Sequence, residues 1–195
     1  MPESRASWLP AVRRTVFGLY RDEGGRKWVE ASGDSMRPLI RPGTLMLVEF
    51  GARPEGPGDI VLFPVGDTIV SHRVVGYRFR GGRPLLLTKG DAHAYFDPPV
   101  DPADVLGVVR ALRRAPAGAP TQAGCADRHA RAIARASLWG GRIAARLRRV
   151  ALRLPDSLRG TALRGVSLVV GIATLAASTA AIRVARTAPG VRERR

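Results

Sequence analysis

The stretch Ile60-Val61-Leu62-Phe63-Pro64-Val65-Gly66-Asp67-Thr68-Ile69-Val70-Ser71-His72-Arg73-Val74-Val75 holds two apolar, β-branched runs on either side of a Gly-Asp turn signal. Ile60–Phe63 and Thr68–Val75 are too short and too rich in valine and isoleucine to read as helix, and the second alternates. Working outward, runs of the same kind recur at Trp28–Ala31, Leu45–Phe50, Leu85–Thr88 and Val105–Val109. Turn signals separate them at Arg41-Pro42-Gly43, Pro54–Asp59, Gly81-Gly82 and Asp97–Pro102, where glycine and proline set dihedrals that β-branched residues would strain. The pattern predicts a mainly β, antiparallel domain. No βαβ repetition and no glycine-rich phosphate loop is present, which argues against a nucleotide-binding α/β fold.

The flanks read differently. Leu9, Val12, Val16 and Leu19 recur at helical spacing, so Ser7–Tyr20 is expected to be a short amphipathic helix. Ala115–Cys125 is an Ala/Pro/Gly-rich linker. Beyond it, Ile133, Leu138, Ile143, Leu147, Val150 and Leu154 punctuate an arginine-rich run that predicts a basic amphipathic helix broken near Pro155. Gly165–Ile182 carries no charge and lies at the short edge of what spans a bilayer, so it is a candidate membrane segment. The expected organisation is an N-terminal segment 1–27, a β domain 28–112, a linker 113–127 and a basic helical region 128–195 containing the candidate segment 165–182.

The chain has 195 residues and 45% hydrophobic content, enough for one real core with an appendage. Its formal charge is +16, and Lys27 and Lys89 are its only lysines, so the positive charge is arginine. That balance favours polyanionic surfaces, lipid or nucleic acid. No aromatic interleaving or reading motif supports nucleic acid, which is disfavoured. Cys125 is the sole cysteine, so an intrachain disulfide and a cysteine-based zinc site are excluded. His72, His93 and His129 have no ligand spacing, and no metal or cofactor is expected. Met1–Glu30 has charges throughout and no sustained apolar run, so neither a secretory signal nor a membrane span is expected before Ser35.

Three short elements carry chemistry: Gly33-Asp34-Ser35-Met36-Arg37-Pro38, Ser71-His72-Arg73-Val74-Val75 and Lys89-Gly90-Asp91. A serine hydroxyl is a weak nucleophile that needs a base, and the base needs an orienting acid. Alone, Ser35 reads as a turn serine, His72 as a strand histidine and Asp91 as a turn former. Together, and in this order, they supply a hydrolytic serine site. Gly33 and Met36 flank the serine, Pro38 stiffens the turn, and the Ser35 backbone N–H is the natural donor to an oxyanion. Lys89 is the only nearby lysine that could replace His72, and His93 reads as a loop residue.

With the Pro57-Gly58-Asp59 turn and Val105–Val109, these elements resemble the signal peptidase I superfamily, the fold group that also contains LexA-like self-cleaving repressors. The resemblance covers about Trp28–Val109. Most bacterial members and the repressors have a lysine base where this chain has His72. The histidine is similar to the endoplasmic-reticulum, archaeal and sporulation-type branch. The resemblance implies Ser35 as nucleophile, with Gly33, Ser35 and Met36 at the oxyanion and substrate. It implies His72 as base and Asp91 as orienting acid, with Asp97 the alternative acid. It implies a serine endopeptidase that binds a peptide as an extended strand and removes a signal or leader peptide. Two departures stand out: a hydroxyl residue common two positions before the nucleophile is here Gly33, and the usual membrane anchor is expected after the domain, not before it. Membrane association through the C-terminal region is therefore expected. Basic residues on both sides of 165–182 leave the side open, with a cytoplasmic leader-processing role as one alternative. A non-cleaving peptide-binding protein and a LexA-like self-cleaving regulator are the other readings.

Overall fold

The computed structural model describes residues 9–113, 121–122, 128–155, 157–166, 169 and 176. Helix α1 (Leu9–Glu23) leads into strands β1 (Gly25–Glu30), β2 (Leu45–Phe50), β3 (Ile60–Val65), β4 (Thr68–Arg80) and β5 (Arg83–Lys89). A 3-10 turn at Pro102–Asp104 precedes β6 (Gly107–Arg113), and β7 (Thr121–Gln122) precedes helix α2 (Arg128–Ala151). The order in the antiparallel sheet is β1-β2-β6-β3-β4-β5, with β7 beside β6. The fold is mainly β with C-terminal helices, as the alternating runs predict. β7 lies inside the stretch expected to be linker, pairing Thr121 with Leu112 and Gln122 with Ala111. Residues 1–8, 114–120 and 123–127, with Cys125, lie outside the described residues, as does most of the candidate membrane segment 165–182. No helix among the described residues is long and apolar enough to cross a membrane.

The opening stretch forms the β3–β4 hairpin, with Val65 opposite Thr68 and Val61 opposite His72. β3 reads as a continuous apolar run because both its faces are covered. Ile60 and Leu62 join Met36, Ile40, Met46, Val48 and Phe50 in one core cluster. Val61 and Phe63 join Val74, Leu86, Val100 and Val108 in the other. This is the period of two expected when side chains alternate across a sheet buried on both faces. β4 runs five residues beyond the expected Val75 because the Gly81-Gly82 turn, at φ 55° and 77°, closes a second hairpin onto β5. Both central residues of such a turn need positive φ.

The sheet curls. β1 is an edge strand, yet Val29–Gly33 and the first residues of β4, Thr68–Ser71, line one cavity of about 150 Å³. Helix α1 bridges this curl, touching β2 and β4, with Phe17 buried at the cavity. On the other side of the site, α2 packs on β4 and on the loop after β5. Leu138 lies 3.8 Å from where a Cβ on Gly76 would stand, and Gly141 sits directly on the Phe96 ring.

Candidate active site

His72 is on the buried half of β4, 4% exposed, with the Phe63 ring edge-on at 6.0 Å. Its Nδ1 lies 2.7 Å from Asp97 Oδ2, which also accepts the Thr88 hydroxyl at 2.8 Å. The Asp97 backbone N–H donates to the Thr88 carbonyl at 3.0 Å, so β5 fixes both the main chain and the carboxylate of this residue. Burial pushes the Asp97 carboxyl up. The hydrogen bond and charge of His72 and the Thr88 hydroxyl outweigh that and hold it below its ordinary value. With Nδ1 engaged, the other ring nitrogen, Nε2, is buried and has no hydrogen-bond partner among the described residues. A buried nitrogen left open is costly in a purely structural histidine.

The Ser35 main chain comes near that nitrogen, with no hydrogen bond between the two residues. Its carbonyl accepts from Ala92 N–H at 2.8 Å, which ties the nucleophile-candidate turn to the loop after β5. A Cβ placed on Gly90 would stand 2.8 Å from the Ser35 carbonyl oxygen, 3.2 Å from His72 Nε2 and 3.0 Å from His93 Nδ1. Ser35 O and His72 Nε2 are therefore no further apart than the sum of the first two distances, and only a glycine leaves them room. Ser35 and Ser71 line the cavity, with Gly33 and Met36. Met36 is 1% exposed and belongs to the core cluster. At Gly33 an added Cβ meets nothing within 4 Å, so this position faces open cavity.

Asp91 does not touch His72. It is fully buried and holds Arg73 by two bonds, Nε to Oδ1 at 2.9 Å and Nη2 to Oδ2 at 2.7 Å. Arg73 also donates Nη1 to the Gly58 carbonyl at 2.9 Å. Asp59 in turn accepts Glu55 N–H at 2.7 Å and Gly56 N–H at 3.3 Å. One buried guanidinium thus knots the Pro57-Gly58-Asp59 turn, the His72 strand and the Lys89-Gly90-Asp91 turn. Of the two carboxylates offered for orienting His72, the structure brings Asp97 to the ring and gives Asp91 to the scaffold.

Lys89 is buried beside these groups, its ammonium donating to the Gly90 carbonyl at 3.2 Å. Desolvation lowers it to about 8 against the pull of Asp91 and Asp97. His93 keeps much of its surface in solvent, yet its ring stands edge-on to His72 at 5.3 Å. Burial of its inner face, then the neighbouring His72, pushes it below its ordinary value. The sequence gives no signal for the Thr88 hydroxyl at the carboxylate, and His93, read there as a loop residue, is an exposed loop residue whose ring meets His72. Thr88 alternates with Leu87 and Lys89 in a strand pattern, and only the fold shows that its hydroxyl meets a loop carboxylate. Among the described residues no three His, Cys, Asp or Glu side chains cluster as a metal site would require.

A buried histidine–aspartate pair with a cavity-lining serine close by in the fold supplies the residue types that a serine hydrolase uses. The sequence profile of the Peptidase S24-like family matches residues 8–109, more than half the chain. The chain belongs to this family. An S24-like domain is consistent with the signal peptidase I and LexA-like superfamily expected from the sequence, and it makes the fold that of a serine peptidase. No curated protein and no solved structure matches the chain. The match ends within β6, and β7 and α2 lie beyond the matched residues.

Proposed function

We propose that this protein is a serine endopeptidase that removes a leader or signal peptide, with Ser35 as nucleophile, His72 as general base and then acid, and Asp97 as the orienting carboxylate. The observation that carries the reading is the His72–Asp97 pair at 2.7 Å, with Nε2 unbonded on the side where the Ser35 main chain approaches. Asp97 holds the ring so that Nε2 is the acceptor. Nε2 takes the Ser35 proton as the hydroxyl attacks the scissile carbonyl, and gives it to the departing amine. The same nitrogen then activates the water that releases the acyl group. The Ser35 backbone N–H, with open space at Gly33 instead of a second hydroxyl, is the donor available to the oxyanion.

The cavity supports an extended substrate. Among the described residues β1 pairs only with β2, and the β4–β5 ladder begins at Arg73, leaving Thr68–His72 without a strand on that side. A strand laid between these edges gains main-chain bonds on both sides, while its side chains face the cavity of about 150 Å³. The basic C-terminal region keeps the enzyme at a membrane, where such leaders emerge, and a reporter fused to the N-terminus reads which side the domain occupies.

The test uses purified full-length protein and a serine-directed acylating probe. Wild type is expected to be labelled at Ser35 and to cleave a leader-bearing peptide, and Ser35→Ala and His72→Ala are each expected to lose both. Full cleavage by Ser35→Ala removes the proposal. Labelling without turnover of any added peptide, together with a cut in the chain itself, favours the self-cleaving regulator.

A further inference from the structure

Helix α2 has two buried roles and one unexplained face. Ala130, Ala134, Ser137, Gly141 and Ala144 are buried on the side that meets the β domain. At about 100° per residue, Trp139, Ile143, Leu147 and Val150 fall on the opposite side. There they are 65%, 49%, 42% and 59% exposed. Four large apolar residues in line on the outside of a helix are not explained by the fold.

The charge around the stripe identifies its partner. Arg135, Arg142 and Arg146 are exposed along one flank, and α2 contains no acidic residue. A second copy of this chain would bring one arginine ridge against another, in a protein whose formal charge is already +16. Nucleic acid would satisfy the arginines but gives no counterpart to a Trp-Ile-Leu-Val stripe. A bilayer surface with anionic headgroups satisfies both: phosphates meet the guanidinium groups, and the apolar face enters the acyl boundary with tryptophan at headgroup level.

We propose that the outer face of α2 binds an anionic lipid surface in the plane of the interface. This rests on the membrane part of the function proposed above, and not on its chemistry. It also places the peptidase site. The inner face of the same helix lies on Phe96 through Gly141, one residue from Asp97, and Arg148 stacks over Tyr95 at 5.6 Å. A lipid-bound α2 therefore holds the Asp97 loop just above the headgroups.

Full-length protein with Trp8→Phe and Trp28→Phe leaves Trp139 as the only tryptophan. Its emission is expected to shift to the blue with phosphatidylglycerol-containing vesicles, to stay put with pure phosphatidylcholine, and to return when salt is raised. Arg142→Gln with Arg146→Gln is expected to weaken vesicle binding about thirtyfold. Sedimentation with the vesicles is read in parallel. Protein that sediments while Trp139 emission is unmoved overturns the inference but leaves membrane association standing on other residues. A blue shift driven by protein concentration without lipid, or by duplex DNA without lipid, overturns it too. Protein that stays in the supernatant removes both the inference and the membrane part of the proposed function, whereas Ser35 labelling tests the chemistry independently.

Discussion

Two aspartates six residues apart have opposite jobs, and substitution separates them. Asp91 is paired with Arg73 in a site where both side chains are essentially inaccessible. Removing one partner of such a pair strands the other charge in low dielectric, so Asp91→Ala is expected to destabilise the fold by about 3–5 kcal/mol, read by urea unfolding. Asp97→Asn keeps the shape of the side chain and a carbonyl for Thr88 while unsettling the His72 tautomer. It is expected to leave the unfolding midpoint near that of wild type and to reduce peptide cleavage by on the order of 10³- to 10⁴-fold. The reverse pattern, an inactive but stable Asp91→Ala and an active Asp97→Asn, would reassign the acid. The residue types of this site were legible because Ser35, His72 and the two acids sit beside distinctive turns. The choice between acids was not, since it depends on where Arg73 points. Neighbours along β4 send their side chains to opposite faces, so His72 and Arg73 need different carboxylates.

At the scale of elements, β3 and β4 were legible from composition and alternation, and the Gly66-Asp67 turn joined them. The length of β4 was not, because Tyr77, Arg78, Phe79 and Arg80 lie on an exposed hairpin with no apolar periodicity to mark it. The docking of α2 was hidden as well. A glycine inside a basic helical pattern looks like a weak point, and its purpose is the close approach of the Phe96 ring. Gly141→Leu is expected to push Phe96 outward, shift Asp97 away from His72 and lower activity at least tenfold. Ala132→Leu, on the exposed side of the same helix, serves as the control that keeps activity. Peptide cleavage and amide exchange across residues 92–97 measure both, and an unchanged Gly141→Leu enzyme would show that α2 does not brace the loop.

For the whole molecule, stability against pH follows from three groups. Hydrogen bonds from Arg110 and Arg26 hold Glu49 below its ordinary value, and His72 and Thr88 do so for Asp97 against burial. Both carboxyls bind protons less readily when folded than when unfolded, so their stabilisation is whole above the ordinary carboxylate range and is lost as pH falls through their lowered values. Lys89 acts at the alkaline end. Its ammonium lies at about 8 in the fold against 10.5 normally, so the unfolded chain keeps that proton longer. Its contribution to stability therefore rises as pH climbs from about 8 towards 10.5. Urea unfolding of wild type and Lys89→Met across this range is expected to show that rise in wild type alone.

The contact of Gly141 with Phe96 has one more consequence, in the order of synthesis. A ribosome delivers Ser35, His72 and Asp97 well before it delivers α2, and the serine-peptidase sheet can close on itself while the helix is still in the exit tunnel. The clamp on the aspartate's loop arrives after the residues it braces. The site's residues are thus assembled but unbraced until α2 emerges and docks on the Phe96 ring.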